Sequence, residues 1–161
     1  MTPKHARVTM VLAAGVLMMA VLATAQSKDP FVGTWRLDIA KSKYSPGPAP
    51  KSQTAIYEAA GSGYKVSVTA EPASGAAQKW SYATALDGKD VPITGNNPNA
   101  DMIAVKRIDA NTLETVGKKG GKVTTTQRNV VSADGKTRTV TTTGMDGQGQ
   151  KVNNVTVFVK Q

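Results

Sequence analysis

The chain has 161 residues, a formal net charge of +9, no cysteine and one histidine, His5. Without cysteine there is no disulfide, and with His5 in a leader there is no Ser-His-Asp or Cys-His nucleophile, no zinc or copper site of the usual ligands and no histidine-ligated haem. Most enzyme classes fall away on that count, and neither a metal nor a cofactor is expected.

The first element is that leader. Lys4 and Arg7 precede an apolar run from Val8 to Leu22, and Ala23, Thr24 and Ala25 have the small-x-small form that signal peptidase accepts. The segment reads as a signal peptide over 1–25, cleaved between Ala25 and Gln26. Its apolar run is shorter than the about 20 residues a spanning helix needs, and no cysteine follows it for lipid attachment. The expected mature protein is secreted or periplasmic, monomeric and not membrane-spanning. Losing Lys4 and Arg7 lowers the charge from +9 to +7. Lys65, Lys79, Lys89, Lys106 and Lys151 are scattered, and only Lys118, Lys119 and Lys122 cluster, beside a glycine-rich turn. This is a solvated basic surface whose contact, if it has one, is an anionic envelope surface. The aromatics do not interleave with basic residues as a base-stacking groove requires, so nucleic acid is not an expected partner.

Phe31, Gly33, Trp35 and Leu37 alternate with Val32, Thr34, Arg36 and Asp38, which predicts the opening strand. From Ile39 to Lys51, Pro46, Pro48 and Pro50 forbid a helix pair, although Asp38 to Tyr44 has room for one helical turn. Thr54–Ala59 and Tyr64–Ala70 flank Gly61, Ser62 and Gly63, with Tyr64, Val66, Val68 and Ala70 on one face. Gln78 to Leu86 puts Trp80, Tyr82, Thr84 and Leu86 together. Asp87 and Gly88 then predict a type I′ turn that sets Tyr82 opposite Ile93 and Thr84 opposite Val91. Beyond the loop from Gly95 to Ala100, strands at Met102–Ile108, Thr112–Val116, Val123–Val131, Thr137–Thr143 and Val152–Lys160 follow through short turns. The turn at Ala133, Asp134 and Gly135 sets Val130 opposite Arg138 and Arg128 opposite Val140. About ten strands with no helical period among them predict an all-β, antiparallel up-and-down β-barrel over 26–161.

The Gly-x-Trp of Gly33 and Trp35 at the head of such a meander resembles the calycin superfamily: lipocalins, fatty-acid-binding proteins and avidins. A likeness over nearly the whole mature chain is to secreted bacterial lipocalin-like proteins, on the Phe-Val-Gly-Thr-Trp opening (Phe31 to Trp35), an Asp-Gly-Lys-Asp turn (Asp87 to Asp90) and a Val-Asn-Asn-Val ending (Val152 to Val155). The resemblance implies that Trp35 plugs the closed end, with Lys160 lying across its ring; an ordinary core tryptophan is the alternative. It departs from fatty-acid-binding proteins at the helical lid and at their terminal Arg-x-Tyr, where this chain has Thr156, Val157 and Phe158. That alignment points Thr156 and Phe158 inward, whereas Val155, Val157 and Val159 are the more apolar stripe.

Trp80, Tyr82, Tyr64, Val66, Val68 and Ile103 are the expected lining of a ligand cavity, reached beside the proline-rich loop. Arg128 and Arg138, on one face in the expected register, have two readings: inward partners for an anionic head group, or solvated charges on the exterior. Threonine-rich stretches at 124–126 and 141–143 place some hydroxyls inside, so the cavity is small, partly hydrated and suited to an amphipathic molecule. Two functions follow. One is binding of a small apolar or amphipathic molecule; the other is a ligand-free structural or interaction module of the cell envelope, filled by its own side chains. A continuous cavity above about 300 Å³ favours the first. No pair of acids converges, so no catalytic residue is assigned.

Overall fold

The computed structural model describes residues 29–161; the signal peptide read at 1–25 lies outside the described residues. These residues form eleven strands and no helix: β1 (Gly33–Lys43), β2 (Ser52–Ala60), β3 (Gly63–Glu71), β4 (Gln78–Thr84), β5 (Asp87–Pro92), β6 (Thr94–Gly95), β7 (Met102–Asp109), β8 (Thr112–Lys119), β9 (Lys122–Val131), β10 (Thr137–Met145) and β11 (Lys151–Lys160). They make one antiparallel sheet in the order β5-β7-β8-β9-β10-β11-β1-β2-β3-β4-β6. β1 pairs with β11, Trp35 opposite Lys160 and Leu37 opposite Phe158, which joins the first strand to the last. The sheet curls into a nearly closed barrel and hides most of its edges. The expected fold class is the observed one, with eleven strands in place of about ten.

The barrel stays open between β4 and β5, and this corrects the type I′ hairpin expected there. Such a turn needs two consecutive left-handed residues. The left-handed positions are instead Leu86, at φ 63°, and Gly88, at φ 80°. The Leu86 N–H donates to Thr84 Oγ1 and the Leu86 carbonyl accepts from Arg107 N–H, so the chain leaves β4 for the β7 ladder. Val91 lies opposite Ile103, while Tyr82 and Thr84 face Val66 and Tyr64. Beyond β4 the sheet continues only through Trp80–Gly95 and Ser81–Thr94 of the two-residue β6.

A second correction concerns Arg128 and Arg138. The β9–β10 connection closes through Ser132 N–H to Thr137 O, at 2.8 Å, and Gly135 N–H to Ser132 O. Residues 133–136 therefore form a loop one residue longer than expected. Arg138 falls opposite Val131, and Arg128 opposite Thr141. Because side chains alternate with period two, this one-residue difference puts the two arginines on opposite faces.

Between Asp38 and Lys43 the β1–β11 register shifts, and no helical turn forms. Ser42 Oγ donates to Asp38 O and accepts from Val157 N–H, so a bulge carries the chain to the proline-rich loop. On β11, Thr156 and Phe158 are buried inside and the valine stripe is the outer face. The interior splits into a packed base, where Phe31, Trp35, Tyr64, Val66 and Leu113 are buried, and a hollow upper part.

Candidate functional site

Trp35 closes the base. Its ring is fully buried, its indole N–H donates to Phe31 O at 2.8 Å, and Lys160 Nζ lies 5.0 Å from the ring centroid, within cation–π reach. Lys160 Nζ also donates to Pro30 O at 2.8 Å. Gly33 makes room for this arrangement: a Cβ there would come 2.8 Å from Lys160 Cε, and its φ of 133° disfavours any other residue. Beside it, the Tyr64 hydroxyl donates to Asp29, whose carboxylate is 2.7 Å from Arg107 Nη2. Arg107 also donates to the Tyr64 hydroxyl and lies over the Phe31 and Tyr64 rings. This cluster ties the start of the described chain to the barrel floor.

Above the floor is a cavity of about 300 Å³. Trp80, Tyr82, Val68, Ile103 and Arg138 line it, whereas Tyr64 and Val66, expected in the lining, are packed into the base instead. The physical reason is depth and reach: Trp80 lies opposite Val68, and Tyr57, Val66 and Tyr82 form the next row down, where the two long tyrosines reach the cavity and the shorter Val66 stays packed beneath it. Arg128 is outside, half-exposed, with its guanidinium 3.3 Å from Glu114 Oε1. It is a solvated surface pair and contributes nothing to the cavity.

Arg138 is 3 % exposed. Its guanidinium carbon lies 4.5 Å from the Phe158 ring centroid, 4.8 Å from that of Tyr57 and 5.5 Å from that of Trp35. It donates from Nη1 to the Tyr57 hydroxyl, and its Nε–H has no partner among the described residues. None of the ion pairs among the described residues includes it. The aromatic faces stabilise a desolvated cation, each by about 1–2 kcal/mol, but none of them neutralises it. Tyr82 extends the network: burial first, then the Tyr57 phenol, pushes its hydroxyl well above the ordinary 10.0, against a smaller opposing pull from Arg138. At neutral pH the floor of the cavity thus offers the Arg138 guanidinium and the neutral phenol of Tyr82.

The mouth lies among Tyr44, Pro50, Pro72, Asn97 and Asp146. Tyr44 and Pro50 bring the proline-rich loop to one side. The other side is a strap: Asn97 Oδ1 accepts from the N–H groups of Asn99 and Ala100, and Asn99 Oδ1 accepts from Gly147 N–H at 2.9 Å. The segment before β7 is thereby tied to the β10–β11 turn. The Tyr44 hydroxyl is buried without a partner, and burial pushes its pKa up to about 12.

Sequence reasoning missed Tyr57, Gln127 and Asn129, which line this cavity together with Phe158, the residue that the resemblance pointed inward. Tyr57 was readable as the inward neighbour of Ala55 in β2. The others depended on the β9–β10 register.

Among the described residues no group of three or more His, Cys, Asp or Glu stands ready to hold a metal. No helix among them is long and apolar enough to cross a membrane. Compared with known proteins, the sequence matches no family profile and no curated protein. A search of solved structures finds zebrafish ileal bile acid-binding protein in complex with cholic acid, at 15% identity and a TM-score of 0.49, covering 82% of this chain and 99% of that one. The barrel's own architecture is nearly closed and antiparallel, with its first and last strands paired.

Proposed function

We propose that the barrel binds a small amphipathic anion, its apolar body against Trp80, Tyr82 and Ile103 and its charged group at Arg138. One observation carries this reading: a buried arginine faces a cavity of about 300 Å³ with its Nε–H unpartnered and no carboxylate beside it. A desolvated cation without a counter-charge is costly, and an anion delivered by a ligand offsets that cost with charge-assisted hydrogen bonds. Burial of the ligand's apolar side supplies the rest of the affinity.

Titration with a fluorescent anilinonaphthalene sulfonate tests the proposal. The parent protein and Arg128→Gln should bind it with a Kd below about 100 μM, equivalent to about 5–6 kcal/mol. Arg138→Gln should weaken binding by about tenfold or more, and so should removal of the sulfonate from the probe, which needs no variant. If no probe binds the parent, the ligand-free envelope module replaces this reading. The proposed setting is outside the cytoplasm, secreted or periplasmic, supported by the Ala23-Thr24-Ala25 triplet. N-terminal sequencing of the native protein should begin at Gln26; recovery of intact Met1 chains would refute it.

A further inference from the structure

The two sides of the cavity differ in chemistry, and strand register lays this out in rows. Thr115 of β8, Gln127 of β9, Thr142 of β10 and Asn154 of β11 lie side by side. One row nearer the base, Asn129 sits between Leu113 and Val140; one row nearer the mouth, Thr125 sits between Gly117 and Gly144. Asn154 Oδ1 is engaged by Ser45 N–H at 2.8 Å. The side chains of Thr115, Thr125, Gln127, Asn129 and Thr142 line the cavity and make no hydrogen bond to another of the described residues. They are not surface groups: Asn129 is 4 % exposed and Thr115 5 %. The facing side, from β2, β3, β4 and β7, presents Ala55, Val68, Trp80, Tyr82 and Ile103, with amides only in the row nearer the mouth, where Gln53 and Gln78 flank Ala70.

Resting on the proposal of an anion held at Arg138, we infer that the ligand is a compact hydroxylated acid. One edge of it carries hydroxyl groups against the β8–β10 wall, and its C–H face lies on Trp80. A wholly hydrocarbon body would strip solvent from two amides and three hydroxyls and return nothing, leaving each unsatisfied. Hydroxyls along that edge replace those bonds, since threonine donates and accepts and each amide offers both an N–H pair and a carbonyl. Sites built from groups of this kind discriminate strongly against analogues that lack the matching hydroxyls. A cavity of about 300 Å³ is at the small end of ligand sites, which favours a single ring or short chain over a long alkyl tail.

Isothermal titration with quinate and cyclohexanecarboxylate, which share ring and carboxylate and differ in hydroxyls, tests this class. The parent should bind quinate at least about tenfold more tightly. Gln127→Leu with Asn129→Leu should abolish that preference by weakening quinate and leaving cyclohexanecarboxylate unchanged or tighter. Gln127→Leu alone, expected to show part of the effect, serves if the double variant does not fold. Equal or tighter binding of cyclohexanecarboxylate by the parent overturns the hydroxylated acid while the anion site stands. So does binding of the fluorescent sulfonate when neither ring acid binds. If none of the three binds, the anion-binding reading itself fails.

Discussion

Arg138 and Tyr82 show how much of the site depends on protonation. Tyr82 is half-buried by surface area because one side of its ring looks into the cavity, but its hydroxyl lies within the barrel beside Tyr57 and Arg138. Its folded-state pKa is raised, chiefly by burial, above the value near 10.0 that it has when the chain unfolds. The unfolded state therefore loses this proton first, and stability present below pH 10 declines as pH climbs toward the folded value. Tyr44, raised to about 12, and Tyr64, raised by burial and by its bond to Asp29, act in the same direction. The urea midpoint should accordingly be level from neutral pH to about pH 10 and fall above it. Tyr82→Phe should make that alkaline fall shallower and remove one late-titrating phenolate from the absorbance titration. An alkaline limb identical in parent and variant would show that Tyr82 is open to solvent.

At the scale of strands, legibility followed turn length. Alternation alone put Trp35, Val68 and Trp80 on shared strand faces, and each of them is inward. Short glycine turns also located most hairpins, because the left-handed conformation narrows the choice of residue. Two turns misled. Asp87-Gly88 has type I′ composition, yet Leu86 takes the left-handed position, since its carbonyl is held by Arg107, a partner 21 positions away in sequence. At 133–136 the loop length rests on Ser132, whose Oγ donates to Asp134 Oδ1 at 2.5 Å and accepts from Thr137 N–H. Nothing in composition separates a three-residue from a four-residue loop there. The functional consequence of that single residue is large: it decides which arginine is a buried cation and which is a surface ion pair. It also turns Gln127 and Asn129 inward, so the polar wall was legible as a surplus of threonine but not as a surface.

For the whole molecule, closure is the property on which the cavity depends. Because β4 and β5 do not form a ladder, the sheet has two free edges, and its curl is held by the strands on the far side. There β11 is paired along both sides, to β10 from Thr137–Val159 to Met145–Lys151 and to β1 from Trp35–Lys160 to Asp38–Val157. It also carries Phe158 against Arg138 and Lys160 across Trp35, so the same strand closes the wall and seats the floor. Deleting Val152–Gln161 would split the sheet into two pieces with four free edges, each exposing unpaired N–H and C=O groups beside apolar residues. The truncated chain should lose the near-ultraviolet signal of Trp35, fail to bind the fluorescent sulfonate and elute as aggregate. Adding back the missing strand as a free peptide should recover part of the signal, because β1 and β10 present the complementary edges. A soluble truncated monomer with native tryptophan fluorescence would show that the two halves, β1–β4 with β6 and β5 with β7–β10, hold together through side chains alone, and that the joining of first and last strands is dispensable for the cavity.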